Sequence, residues 1–280
     1  MRLLSLLSGL LLAATAQAAD VKRLPVPGVT GQDNRIINEL RSPPWSAIGR
    51  LNITTGGFCT ATVIGPRRIL TAAHCLWNKR TGRWLPPCAL HFLAGYKRGE
   101  YAVHALVAGF HVPAGFVDGE RRRIEHDWAV LTLDRDVSRQ TGLLGLDDAL
   151  PGPGDAIVQA GYSRDHSHVL TVDRNCRVRE SSARQGLFTH DCDATFGDSG
   201  SPVLRRDGDT YRLLGLHSAL KGRGEKAVGI AVGARAAADW TSANPVTPAP
   251  GGVKACRVHD PVQGSELVQW QPGTHGRPIL

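Results

Sequence analysis

Three short segments of this 280-residue chain carry side chains that could together perform acyl transfer. Gly197-Asp198-Ser199-Gly200-Ser201-Pro202 sets a serine between glycines, which let the backbone approach a bound molecule and turn its amides inward. Such chemistry needs a hydroxyl activated by a base and amide donors aimed at the developing oxyanion; the N–H groups of Gly197 and Ser199 are the candidate donors. An ordinary Gly-Ser turn reads the same in isolation, so the case depends on a base elsewhere. Leu70-Thr71-Ala72-Ala73-His74-Cys75 supplies one, a histidine at the end of an apolar run among small residues that leave its ring room to face a cleft. Imidazole is the side chain best suited to take a serine proton at neutral pH and return it to a leaving amine. Glu125-His126-Asp127-Trp128-Ala129-Val130-Leu131 puts an aspartate at the entry of an apolar strand, where a carboxylate is costly to bury without a partner. A histidine N–H would be that partner, holding the tautomer and stabilising the imidazolium. Asp134 and Asp136 are rivals for the role, but both sit at the far polar end of the same run.

The elements that must position these residues read as strands. Apolar composition of 42% is enough to bury the core of one large or two small domains, while 32 Gly, 17 Pro and 6% aromatic residues break the apolar segments into short runs. Residues 47–53, 61–64, 90–93 and 129–133 are such runs, each closed by Gly, Pro or charge. Only 234–243, rich in Ala, reads as a helix. Residues 1–19 have the positive start, apolar run and Ala16-Gln17-Ala18 ending of a secretory signal, so the mature chain is expected to be secreted or periplasmic, with disulfides permitted. Residues 20–43 read as a pro-segment or extended arm, 44–243 as the packed domain and 244–280 as a Pro/Gly-rich tail. The formal charge of +8 is spread in small groups without an aromatic-studded basic stripe, which favours a solvated basic surface over a nucleic-acid partner. Among 11 histidines, His166 and His168 could ligate zinc, but no His-Glu-x-x-His or clustered Cys and His set accompanies them, and no metal or other cofactor is expected.

Together the three segments resemble the chymotrypsin-like serine peptidases, whose marks are Thr-Ala-Ala-His-Cys, an Asp opening an apolar strand, and Gly-Asp-Ser-Gly in the order His, Asp, Ser. Ala47-Ile48-Gly49-Arg50-Leu51, Ser199-Gly200-Ser201-Pro202-Val203 and Gly215-Leu216-His217-Ser218 resemble the bacterial branch that includes glutamyl endopeptidases. The resemblance implies an all-β fold of two packed six-stranded antiparallel barrels with a short C-terminal helix. It implies a secreted serine endopeptidase with His74, Asp127 and Ser199 as catalytic triad and Gly197 with Ser199 as oxyanion hole. The alternative is a catalytically inactive homologue that binds a partner through the same fold.

Further expectations come with the resemblance. The family bridges the equivalents of Cys59 and Cys75; Cys176 with Cys192 is expected to form a second bridge, leaving Cys88 for Cys256. Asp193 stands where trypsin-like members select basic side chains, whereas His217, with Ser218 beside it, stands where glutamyl endopeptidases bind an acidic one; the lean is slightly towards basic. Arg35-Ile36 resembles a zymogen junction, and a new Ile36 ammonium would pair with Asp198. The implied partners are protein or peptide substrates, an activating protease and a protein inhibitor, with no nucleic acid and no membrane, and the protein is expected to be monomeric.

Overall fold

The computed structural model describes residues 26–118, 121–222 and 226–245, and the backbone of a strand pair at Cys256–Arg257 and Leu267–Val268. The expected signal, residues 1–19, lies outside the described residues. So does the third disulfide, because it requires the Cys256 side chain.

Short apolar runs become strands that alternate burial with a period of two, as a half-buried pleated surface demands. In Leu90–Ala94, for example, Leu90, Phe92 and Ala94 are buried while His91 and Leu93 are half-buried. Six strands close the first barrel: β2 (Ile48–Ile53), β3 (Phe58–Gly65), β4 (Arg68–Thr71), β5 (Leu90–Ala94), β6 (Val103–His111) and β7 (Ala129–Leu133). They run in the antiparallel order β7-β4-β3-β2-β5-β6, with β6 returning to β7. The second barrel consists of β8 (Ala156–Gly161), β9 (Thr171–Ser182), β10 (Leu187–His190), β11 (Pro202–Asp207), β12 (Thr210–Lys221) and β13 (Val228–Gly233). Its order is β9-β8-β11-β12-β13-β10, closed by the pairing of β10 with β9. The two-barrel expectation from the sequence is thereby met.

Closure leaves few free edges, and the N-terminal arm covers one of them: β1 (Ile36–Ile37) adds to the outside of β9, pairing Ile36 with Val172 and Ile37 with Thr171. The helix Arg235–Ala243 packs against β7. Arg68 of β4 donates to the carbonyls of Thr241 and Asn244 and lies 5.3 Å from the Trp240 ring, so it ties the helix end to the first barrel. No helix among the described residues is long and apolar enough to cross a membrane.

Candidate active site

His74 sits in a single 3-10 turn, Ala73–Leu76, that ends β4. Ala72 and Ala73 are fully buried because only small side chains fit between the barrels here, and the Cys59–Cys75 disulfide fastens the turn to β3. Asp127 arrives from β7. Ala129 pairs with Thr71, so the register of two adjacent strands delivers aspartate and histidine to the same barrel end. Asp127 Oδ1 accepts from the His74 backbone N–H at 2.8 Å, and Oδ2 lies 2.7 Å from His74 Nδ1. The Ser218 hydroxyl also donates to Oδ2. Burial raises the Asp127 carboxyl, but the hydrogen bonds and charge of His74 and the Ser218 donor outweigh it and hold the group below 3.8, ionised. With Nδ1–H engaged by Asp127, His74 Nε2 is the acceptor, and Ser199 Oγ stands 2.8 Å from it.

Ser199 belongs to the second barrel, on the loop between β10 and β11, and both barrels hold it. Thr60 of β3 donates its N–H to the Ser199 carbonyl at 2.9 Å and its hydroxyl to the Gly197 carbonyl at 3.2 Å. Gly200 N–H meets the His217 carbonyl at 2.7 Å. Gly197 has φ +96, which turns the peptide ahead of Ser199. Among the described residues, the amides of Gly197 and Ser199 have no protein acceptor, leaving both donors for a ligand. The arrangement can take a proton from a serine hydroxyl and stabilise negative charge beside it.

The expected specificity and activation residues are buried or paired in the uncut chain. Ser218 was assigned to substrate binding, yet it is 6% exposed and its hydroxyl serves Asp127. Asp193 is buried and its carboxylate is bonded to the arm: Oδ1 accepts from Thr30 N–H at 3.0 Å and Oδ2 from Asn34 N–H at 2.8 Å. Arg35, the expected cleavage residue, has a side chain only 2% exposed, clamped between Asp33 and Asp165. Ile36 is paired in β1, and in the uncut chain Asp198 accepts from Thr195 N–H at 2.8 Å and Ser163 Oγ at 2.7 Å. Burial pushes the Asp198 carboxyl up to about 6. His217 is 2% exposed, its Nδ1 lies 3.2 Å from His190 Nε2, and burial holds both rings well below 6.5 and therefore neutral.

Cys176 and Cys192 form the second expected disulfide, bracing the loop that leads to Asp193. His166 and His168 do not converge: His168 Nδ1 lies 3.2 Å from the Tyr96 hydroxyl, while His166 faces Asp165 at 3.5 Å. Cys59, His74 and Cys75 cluster at metal-ligand spacing, but the disulfide removes both thiolates. Sequence reasoning missed Thr60, Ser163 and Asp165.

A family model described as Trypsin matches residues 36–241. The chain is 30% identical over 175 residues to serine protease 23 of Mus musculus, covering 56% of this chain and 44% of that protein, so it spans less than half the length of this relative. It is 22% identical over 194 residues to a glutamyl endopeptidase of Bacillus licheniformis, covering 65% of this chain and 56% of that one. A solved Glu endopeptidase shares its fold at a TM-score of 0.66 and 23% identity, covering 77% of this chain and 100% of the other.

Proposed function

We propose that this chain, which belongs to the trypsin family, is a secreted serine endopeptidase that hydrolyses peptide bonds through an acyl-enzyme on Ser199. The observation that carries the reading is His74 bridging Asp127 at 2.7 Å and Ser199 at 2.8 Å through opposite ring nitrogens. Ser199 Oγ attacks the scissile carbonyl as its proton passes to His74 Nε2, and the carbonyl oxygen takes the negative charge towards the Gly197 and Ser199 amides. His74 then returns the proton to the departing amine, leaving the acyl ester. Water, deprotonated by His74, attacks that ester and releases Ser199. Asp127 stays ionised throughout and stabilises the imidazolium.

The preference for a basic side chain rested on Asp193, and its carboxylate is already taken by two arm amides. An acidic side chain is therefore the better reading. It is supported by the similarity to a protein named glutamyl endopeptidase. The test is labelling by a fluorophosphonate combined with cleavage of a peptide library. Wild type should be labelled and should cut after Glu. Ser199→Ala or His74→Ala should lose about five to six orders of magnitude in turnover, because members of such a unit fail together. A wild-type protein that no serine probe labels would make the inactive, partner-binding homologue the correct reading.

A further inference from the structure

The arm that the sequence marks as removable is bonded to the loop that leads to Ser199. Ala194 N–H donates to the Gly28 carbonyl at 3.1 Å, and the Thr30 and Asn34 amides hold the Asp193 carboxylate. On its other side the Asp193 N–H donates to Asp173 Oδ2 at 2.9 Å. Gly28 is at φ +83, and a Cβ there would stand 1.9 Å from the Ala194 carbonyl oxygen, so arm and pocket loop touch backbone to backbone. Both faces of the loop that leads to Ser199 are thereby bonded.

Arg35 completes the attachment. Its guanidinium forks to Asp33 through Nε and Nη2 at 2.9 and 2.8 Å and to Asp165 through Nη1 and Nη2 at 3.0 and 2.7 Å. A planar five-donor group suits such a double carboxylate clamp, and a buried cation is tolerated only when paired this way. Asp165 ends a segment that reaches the catalytic loop at two points: Ser163 Oγ donates to Asp198 Oδ2 at 2.7 Å, and Arg164 N–H donates to the Phe196 carbonyl at 2.6 Å. Phe196 and Asp198 are the residues on either side of Gly197. A continuous path of hydrogen bonds therefore runs from Arg35 through Asp165 and residues 163–164 to both flanks of the Gly197 amide.

We propose that the arm is a permanent part of the catalytic unit, with Arg35 and Asp193 as positioning residues that set the oxyanion and pocket loops in the uncut chain. This inference rests on the peptidase reading of Ser199. A cut after Arg35 would require drawing that side chain from between two carboxylates and freeing β1 from β9, and the cut would then detach residues 28–34 from Asp193 and Ala194. Cleavage there dismantles the site.

The experiment uses protein produced from the full chain. Chains labelled by a fluorophosphonate are isolated, their N-termini sequenced, and kcat and KM measured per titrated active site. Labelled chains should begin before Gly28. Arg35→Gln should lower kcat per site about a hundredfold, the scale of a misplaced oxyanion donor. Arg35→Lys should recover part of that, and Asp193→Asn should act mainly by raising KM. Loss of fold alone would reduce the number of titratable sites and leave kcat per site unchanged, and that result would overturn the positioning role. If Arg35→Gln yields no soluble protein, Asp165→Asn tests the same path and should lower kcat per site about tenfold; an unchanged value would overturn the proposal. Labelling confined to chains that begin at Ile36 would refute the arm inference while leaving the peptidase reading intact. No labelling of any form would refute the peptidase reading itself.

Discussion

Alanine at Gly197 isolates the oxyanion amide from the rest of the site. At φ +96 a side chain costs about 1–2 kcal/mol of backbone strain wherever it is placed. Here the added Cβ would also stand 2.5 Å from the Tyr162 carbonyl oxygen and 2.7 Å from the Phe58 ring. Tyr162 cannot retreat, because it is fully buried and its hydroxyl is fixed to the Tyr96 carbonyl at 2.8 Å. Reaching an ordinary contact distance therefore displaces the Gly197 peptide by roughly 1 Å, whereas an oxyanion donor works only within about 2.7–3.1 Å of the developing charge. Losing one such donor corresponds to about 10²–10³ in kcat. Gly208→Ala is the matched control: φ is +59 in a hairpin turn, and nothing lies within 4 Å of the added methyl, so it should cost about 1 kcal/mol of stability and leave kcat alone. The assay is hydrolysis of a peptide ester and a peptide amide, with kcat referred to titrated sites and stability taken from urea unfolding. A Gly197→Ala enzyme within tenfold of wild-type kcat would refute the assignment of that amide.

Removing the Cys59–Cys75 bridge with paired serines should cost about 3 kcal/mol, the loop-closure value for a separation of 16 residues, read as a lower urea midpoint. It should lower kcat as well, since His74 adjoins the bridge. Ser218→Ala should reduce kcat about tenfold, because a hydrogen bond to a buried carboxylate is worth about 1.5–3 kcal/mol, part of which reorganisation restores. Asp198 is fully buried, and its carboxyl lies near 6 in the fold against 3.8 when exposed, so folding favours its protonated form. That contribution is complete below about pH 3.8 and is lost as pH rises through about 6, amounting to about 3 kcal/mol. Asp198→Asn should therefore compare more favourably with wild type at pH 7.5 than at pH 4 in urea unfolding, and the opposite order would refute the sign.

The readable part of this site is the part whose chemistry is local. A carboxylate at the mouth of an apolar strand, a histidine among alanines and a serine between glycines each declare an environment within six residues of sequence, because burial cost and positive φ act on the residue itself. The strands were readable for the same reason, since alternation and turn residues are short-range, whereas their closure into two barrels followed only from the resemblance to chymotrypsin-like peptidases. Asp193 is harder to read because its contacts depend on what approaches it. The amides of Thr30 and Asn34 come from more than 150 positions away, and no periodicity marks an arm that folds back. Arg35 is hard to read in the same way: nothing beside a basic residue that precedes two aliphatic ones announces Asp165, 130 positions later, as its partner.

Thr60 shows why the most consequential contacts leave the least trace. It is an unremarkable β-branched residue on an apolar strand, yet it is fully buried at the seam and binds the second half of the chain through three hydrogen bonds. Its N–H donates to Ser199, its hydroxyl donates to Gly197, and the same hydroxyl accepts from Tyr162 N–H at 2.9 Å. Since His74 and Asp127 belong to one barrel and Ser199 to the other, the 2.8 Å gap between base and nucleophile is set by how the barrels dock rather than by any single loop. A tertiary constraint of this kind asks only for a small hydroxyl at one strand position, which is why a sequence can announce His74, Asp127 and Ser199 while saying little about what keeps the three in register.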